Sequence, residues 1–313
     1  MVTADKLRNK ILKKRFWREC IKCRYLFLLL LPVVVYYVIF YYVPMYGAII
    51  AWKEFNPTKG IWGSQWIGWA NFQKLFEGMY FGQVFINTII IGFYKLITIF
   101  PASILLALLL NEVRRKTFRK VLQTILCLPY FISWVVLAGI MIEILSPSRG
   151  PLNYFIQLLG LKPIYFIADP HWFRSVLVGT SLWKEAGWNS IIFTAALSGI
   201  DPELYNVAEI DGAGRLRKIW NITLPSIMPV IVIMLIFSIG NIINDDFNQV
   251  FNLLNYNVMS VGDVISTYTY REGLVQLNFG YGAAVGLFKN IISLVLVVFA
   301  NYTARKTTGS SIW

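Results

Sequence analysis

The chain has 313 residues, of which 57% are hydrophobic and only 14% charged; a soluble domain carries about 25% charge. Apolar runs recur at the length that crosses ~30 Å of hydrocarbon, so the composition excludes an ordinary soluble domain and points to an all-α integral membrane protein. The net charge of +13 does not mark a nucleic-acid binder, because the Lys and Arg clusters flank apolar runs.

In chain order, residues 1–25 form a basic N-terminal segment with Leu7, Ile11, Leu12, Phe16 and Trp17 interspersed. Two readings stand: a helix lying on the inner membrane surface, or a basic tail. No A-x-A cleavage site follows the first apolar run, so a retained signal anchor is expected. Residues 26–306 are expected to be a transmembrane domain with six spans at about 26–46, 86–110, 121–145, 175–199, 227–247 and 282–302. Backbone groups in lipid must bond internally, so each run should be a helix. Pro32, Pro101 and Pro129 fall inside runs and should kink them. Residues 307–313 form a C-terminal tail.

Nine Lys and Arg precede Tyr25, five lie between Arg114 and Lys120, three are Arg215, Arg217 and Lys218, and two are Arg305 and Lys306. All four groups share one side of a six-span topology, against seven on the other. That bias puts both termini in the cytoplasm. Trp52, Trp62, Trp66, Trp69, Tyr80 and Phe81 fit an aromatic belt at the outer edge or a short amphipathic helix on the outer surface. Lys95 reads as an internal ion-pair partner or a snorkelling group. The outer loop 248–281 should fold over the mouth, with Asp263 capping a short helix from Val264 to about Arg271. Gly282 and Gly286 have the G-x-x-x-G spacing, which permits close helix contact or a flexible span entry.

The inner loop 201–225 is unlike the rest. Asp201 is a good N-cap with Pro202 at the first helical position, and Glu203 suits the positive helix end. The helix should stop at Asp211-Gly212, where glycine accepts a left-handed backbone. A second short helix, about 215–222, should lead to Pro225. The result is a helix–turn–helix knob between spans four and five.

This loop resembles the coupling loop of permease subunits of ATP-binding-cassette (ABC) importers, with its E-A-A, D-G-A and I-x-L-P pattern. Ala208, Asp211, Gly212, Ala213, Ile222, Leu224 and Pro225 match, whereas Asn206 stands for the usual Glu and Val207 for the first Ala. Stretches 43–47, 182–189, 263–271 and 284–289 extend the resemblance to the maltose-type permeases that serve complex oligosaccharides. The resemblance implies a bacterial plasma-membrane permease that is not itself an enzyme. It also implies four kinds of partner: a second permease, two ATP-binding subunits, an extracytoplasmic sugar-binding protein and membrane lipid. Glu203, Asn206, Ala208, Glu209, Asp211, Gly212, Ala213, Arg215, Leu224 and Pro225 would then couple to the ATPase, with Glu203 or Glu209 supplying the charge Asn206 lacks. No G-x-x-x-x-G-K-[ST] loop occurs, so ATP and Mg are expected on the partner.

Polar groups inside spans face cavities or partners. Ser181, Lys184, Glu185 and Trp188 share one face of the fourth span, with Asn189 beside them. Ser238, Asn241 and Asp245 are spaced i, i+3 and i+7 in the fifth, and Asn290 lies in the sixth. Amides, carboxylates and rings are what sugar recognition needs, so these nine residues are the expected pathway. Two alternatives accompany them: Lys184 or Lys289 pairing with Glu185, Glu143 or Asp245, and Trp188 packing against lipid or a partner. An ion-coupled secondary transporter or a permease for a non-sugar solute are the competing functions. The single His171 and the three cysteines, Cys20, Cys23 and Cys127, supply neither a metal site nor a disulfide framework.

Overall fold

The computed structural model describes residues 22–309 and 311–313. The expected interfacial helix before residue 22, with Cys20, lies outside the described residues. The rest is almost entirely helical.

The first apolar run forms α1 (Arg24–Trp52), which passes through a π-helical stretch at Val38–Tyr42 and tightens to a 3-10 helix over Tyr46–Trp52. None of its residues from Arg24 to Met45 is buried. Only the Tyr46–Trp52 end has a buried residue, Ala51. A two-stranded antiparallel ribbon follows, β1 (Lys53–Glu54) on β2 (Gln65–Trp66). Then come α2 (Ala70–Glu77) and the long α3 (Met79–Asn111), which carries Pro101 in its interior.

The third run is not one straight span. It divides into α4 (Lys116–Phe131) and α5 (Trp134–Ile144), bent by 97°. Pro129 lacks an amide hydrogen, the chain tightens to a 3-10 turn over Leu128–Phe131, and Ser133 restarts the helix by accepting from the Val136 amide at 3.3 Å. This corrects the single span 121–145. What holds the break open is Lys184, whose Nζ donates to the carbonyls of Pro129 (3.4 Å), Tyr130 (2.7 Å) and Ile132. A helix end leaves carbonyls without partners, and a cation there is favoured by the helix dipole.

After α6 (Pro151–Leu158), α7 (Pro170–Ser198) starts at Asp169, which accepts from the His171 amide at 2.9 Å. At 29 residues it is long enough to cross a bilayer, about 43 Å at 1.5 Å per residue. Its polar side chains keep it out of the four helices that, among the described residues, are long and strongly apolar: α1, α3, α9 (Arg215–Gly240) and α12 (Phe279–Thr308). Between α7 and α9 sits α8 (Pro202–Ile210). The expected separate helix at 215–222 merges into α9 through a π turn at Ile219–Thr223, so no break precedes Pro225.

The fifth span also ends early. The helix stops at Gly240, and 241–246 is non-helical before α10 (Phe247–Leu253). Asn241 and Asp245 therefore do not continue the face that carries Ser238. Apolar character persists through Ile242 and Ile243, which hides the stop from a hydropathy reading. Gly92 of α3 lies against the Ile242 carbonyl so closely that a Cβ there would collide with it. The loop then forms α11 (Ile265–Thr269), and α12 runs to Thr308, so the expected tail at 307 begins inside the helix. Asp263 is not its helix cap: its carboxylate, fully buried, accepts from Tyr80 (2.6 Å), Thr267 (2.7 Å) and Arg271 (2.6 Å). Burial works against the Arg271 charge, yet the bonded Asp263 carboxylate outweighs it and raises the guanidinium further above its usual range. Of the glycine pair, Gly282 meets the Gly273 backbone, whereas Gly286 has nothing close.

Several apolar clusters pack the bundle, and two of them flank the polar interior. One gathers Ala107, Phe193, Leu197 and Ile227 near the α8 turn; the other gathers Ile91, Phe173, Leu177, Val250 and Val264 at the opposite end. Between them lies the polar interior.

Candidate functional site

A cavity of about 320 Å³ opens where α3, α7 and the end of α9 meet. Glu185 and Asn189 enter it from α7, Ser238 from α9, Asn241 and Asp245 from the non-helical turn, and Lys95 from α3. Five of the nine expected pathway residues thus line one space. The early stop of α9 is what turns Asn241 and Asp245, with Asn244 and Asp246, toward it.

The other four are placed elsewhere. Ser181 is buried and donates to Gln249 at 3.0 Å. Lys184 serves the α4–α5 break and meets none of the carboxylates considered for it; its ammonium also lies 5.2 Å from the Trp134 ring. Trp188 stacks on Tyr130 at 4.4 Å between centroids and 3° between planes, against that same break. Asn290 is exposed and lines none of the cavities described below.

Lys289 does pair with Asp245, at 3.1 Å, and Asp245 also accepts from the amide and hydroxyl of Ser266. The sequence reading missed Gln249. It is fully buried, accepts from Lys95 at 2.5 Å, and donates to the Leu177 carbonyl and Thr180 hydroxyl, each at 2.7 Å. It fixes Lys95 at the cavity wall by an amide, not by the ion pair expected. Its signal in sequence was one of two adjacent amides, Asn248 and Gln249, between Phe247 and Phe251, easily read as loop polarity. Gln249→Leu should leave four polar groups without this partner and cost about 2–3 kcal/mol; the thermal unfolding midpoint of the purified protein checks this.

At the far end of α9, Asp201 caps α8 by accepting from the Glu203 amide at 2.9 Å. Gly212 closes the turn at φ 72°, and Ala213 donates to the Ala208 carbonyl at 2.8 Å. Glu209 is held by Lys218 at 3.2 Å, which leaves Glu203 as the uncommitted carboxylate of the pair. Leu204, Val207 and Ile210 all project exposed, Ile210 at 86%. The turn passes through Arg215 directly into α9, with Leu224 and Pro225 inside the same rod.

A polar cavity and an exposed helical turn, joined by one continuous helix, are the two working ends of a transport component. The family model for binding-protein-dependent transport system inner membrane components matches residues 99–309. The chain belongs to that family. The permease is 42% identical over 301 residues to the polygalacturonan/rhamnogalacturonan transport system permease protein YteP of Bacillus subtilis (strain 168), covering 96% of this chain and 94% of that one. It also superimposes on a chain of a bacterial ABC transporter involved in the import of the acidic polysaccharide alginate, with a TM-score of 0.86, 39% identity, and coverage of 94% and 99%. A second structure of a bacterial alginate ABC transporter, in complex with alginate pentasaccharide-bound periplasmic protein, gives a TM-score of 0.87 at 38% identity, covering 95% and 100%. The permease is accordingly an ABC importer subunit, a membrane component and not a catalyst.

Proposed function

We propose that this permease pairs with a second permease to form the translocation path for an oligosaccharide. An extracytoplasmic binding protein delivers the sugar, and two ATP-hydrolysing subunits dock on the 201–214 turn. The alginate transporter imports an acidic polysaccharide, and an acidic oligosaccharide is the substrate class this reading puts first. The chain would cross the bacterial plasma membrane six times, with α4–α5 as a bent crossing, α7 as a polar one, and both termini inside.

The observation that carries the proposal is the continuity of α9. It is 26 residues long; the coupling turn sits at its first residue and the polar turn 241–246 at its last. A push on the turn is carried along one unbroken helix, through the π turn at Ile219–Thr223 and past Pro229, to Ser238 and the adjoining Asn241. Glu185, Asn189, Ser238, Asn241 and Asp245 then contact sugar hydroxyls, while Ser181, Lys184 and Trp188 support the surrounding helices. Glu185→Ala combined with Asn241→Ala should lower uptake by at least about tenfold, from two lost hydrogen bonds of about 1 kcal/mol each, with thermal stability retained. Uptake of a labelled oligosaccharide by vesicles with the complete transporter measures it. Unchanged uptake in both single variants and in Asp245→Ala would refute the pathway assignment.

A further inference from the structure

Substrate charge poses a question that the interior cavity does not answer. Its lining sets Lys95 against Glu185, Asp245 and Asp246, a poor reception for a carboxylated sugar. A second cleft, at the end opposite the coupling turn, has the reverse character. Its volume is about 620 Å³, within the range of small-molecule sites. It lies between the β1–β2 ribbon, α2 and the start of α12. Lys53, Lys59 and Lys74 line it against a single acidic residue, Glu54.

The ammonium groups are not neutralised within the protein. Among the described residues none of the three forms an ion pair. Lys53 is nearly buried, and its Nζ is held by the carbonyls of Ile61 (2.6 Å) and Ser64 (3.4 Å) with the Trp66 ring at 6.0 Å. A buried cation without a carboxylate keeps its field, which low-dielectric walls focus into the opening. Lys74 stands over the Tyr281 ring at 4.9 Å, and Lys59 is exposed. Gln65 and Asn278 add exposed amides, and Phe55, edge-on to Phe279 with centroids 6.0 Å apart, adds an apolar wall. The rim is strained: Leu277 is the one non-glycine residue with positive φ among the described residues, at 60°. Such conformations persist where the surroundings impose them, and they cluster at ligand sites.

We infer that this cleft binds the carboxylates of an acidic oligosaccharide, with Lys59 and Lys74 as ion partners and the amides as hydroxyl partners. Lys53 acts as a fixed positive charge behind them. The cleft shares Phe279 with an apolar pocket that reaches Lys289, and Lys289 pairs with the Asp245 that borders the interior cavity. A concave, amide-lined space suits a saccharide better than the flat, charged surface that a protein partner needs. The inference rests on the import reading for its choice of ligand.

The test is direct binding to the assembled permease pair in lipid nanodiscs, without binding protein or nucleotide. Digalacturonate is the probe, galactobiose the neutral control, and saturation-transfer NMR with calorimetry the readout. Digalacturonate should bind in a salt-sensitive manner and galactobiose should not. The double variant Lys59→Gln, Lys74→Gln should weaken digalacturonate at least about tenfold with its unfolding midpoint unchanged, and Lys74→Arg should retain binding. Equal binding of both sugars, or wild-type affinity in the double variant, overturns the inference. So does a double variant that needs more binding protein for acidic and neutral cargo alike, since that marks a protein-docking surface. ATPase stimulation by sugar-loaded binding protein is scored separately: its absence with cleft binding intact defeats the import reading alone, and its presence without cleft binding defeats this inference alone.

Discussion

Replacing Lys184 with Met should lower the stability of the folded chain by about 3 kcal/mol, because a buried carbonyl left without a donor costs about 1–3 kcal/mol. Met keeps the length of the stem and removes the charge. The buried Pro129 carbonyl and the part-buried Tyr130 and Ile132 carbonyls then lose their side-chain donor. The cation–π contacts to Trp134 and Tyr130, at 5.2 and 5.5 Å, are lost as well. Relief from desolvating an ammonium with no carboxylate partner offsets part of that cost, which keeps the net figure below the sum for three carbonyls. The expected readout is a clear drop in the thermal unfolding midpoint of the detergent-purified complex. Lys184→Arg, which keeps several donors, should recover most of it. Wild-type stability in the Met variant would mean that the 97° bend stands without the lysine.

The second large effect is expected at the exposed side of α8. Val207→Asp with Ile210→Asp places two carboxylates where an ATPase cleft would close over apolar side chains. An unpaired charge buried at an interface costs several kcal/mol, so uptake should fall by at least about a hundredfold, the equivalent of about 2.7 kcal/mol. Both residues are exposed in the isolated chain, so its unfolding midpoint should not move. Co-purification of the ATP-binding subunits should fall in parallel with uptake. Retained co-purification with wild-type uptake would place the docking surface elsewhere on the chain.

Much of this architecture was legible in the sequence because single residues dictate it. Asp201, Pro202 and Gly212 set the start and stop of α8 by local chemistry alone, and the expected bounds are matched within a residue. The long apolar runs gave α1, α3 and α12 for the same reason. What was not legible depends on contacts distant in sequence. Pro32 and Pro101 sit inside continuous helices, whereas Pro129 marks a bend, and the difference is a lysine 55 residues further on. The end of α9 at Gly240 could not be read from hydropathy, since Ile242 and Ile243 continue the pattern. Their carbonyls and side chains are received by α3, at Gly92, and by the core around Leu75 and Val84. The cavity assignment divided along the same line. Residues placed on a helical face by spacing alone, such as Ser181 and Trp188, went to packing roles set by Gln249 and Tyr130.

The bare flank of α1 has a consequence for assembly. From Arg24 to Met45 the chain has no buried residue, so the remaining helices lose no internal packing if this arm swings away from them. Inserting it and seating it are then separable events: the arm enters the bilayer by its own hydropathy and finds its resting place only when a neighbour arrives. Only its Tyr46–Trp52 end, with Ala51 buried, ties it to the body.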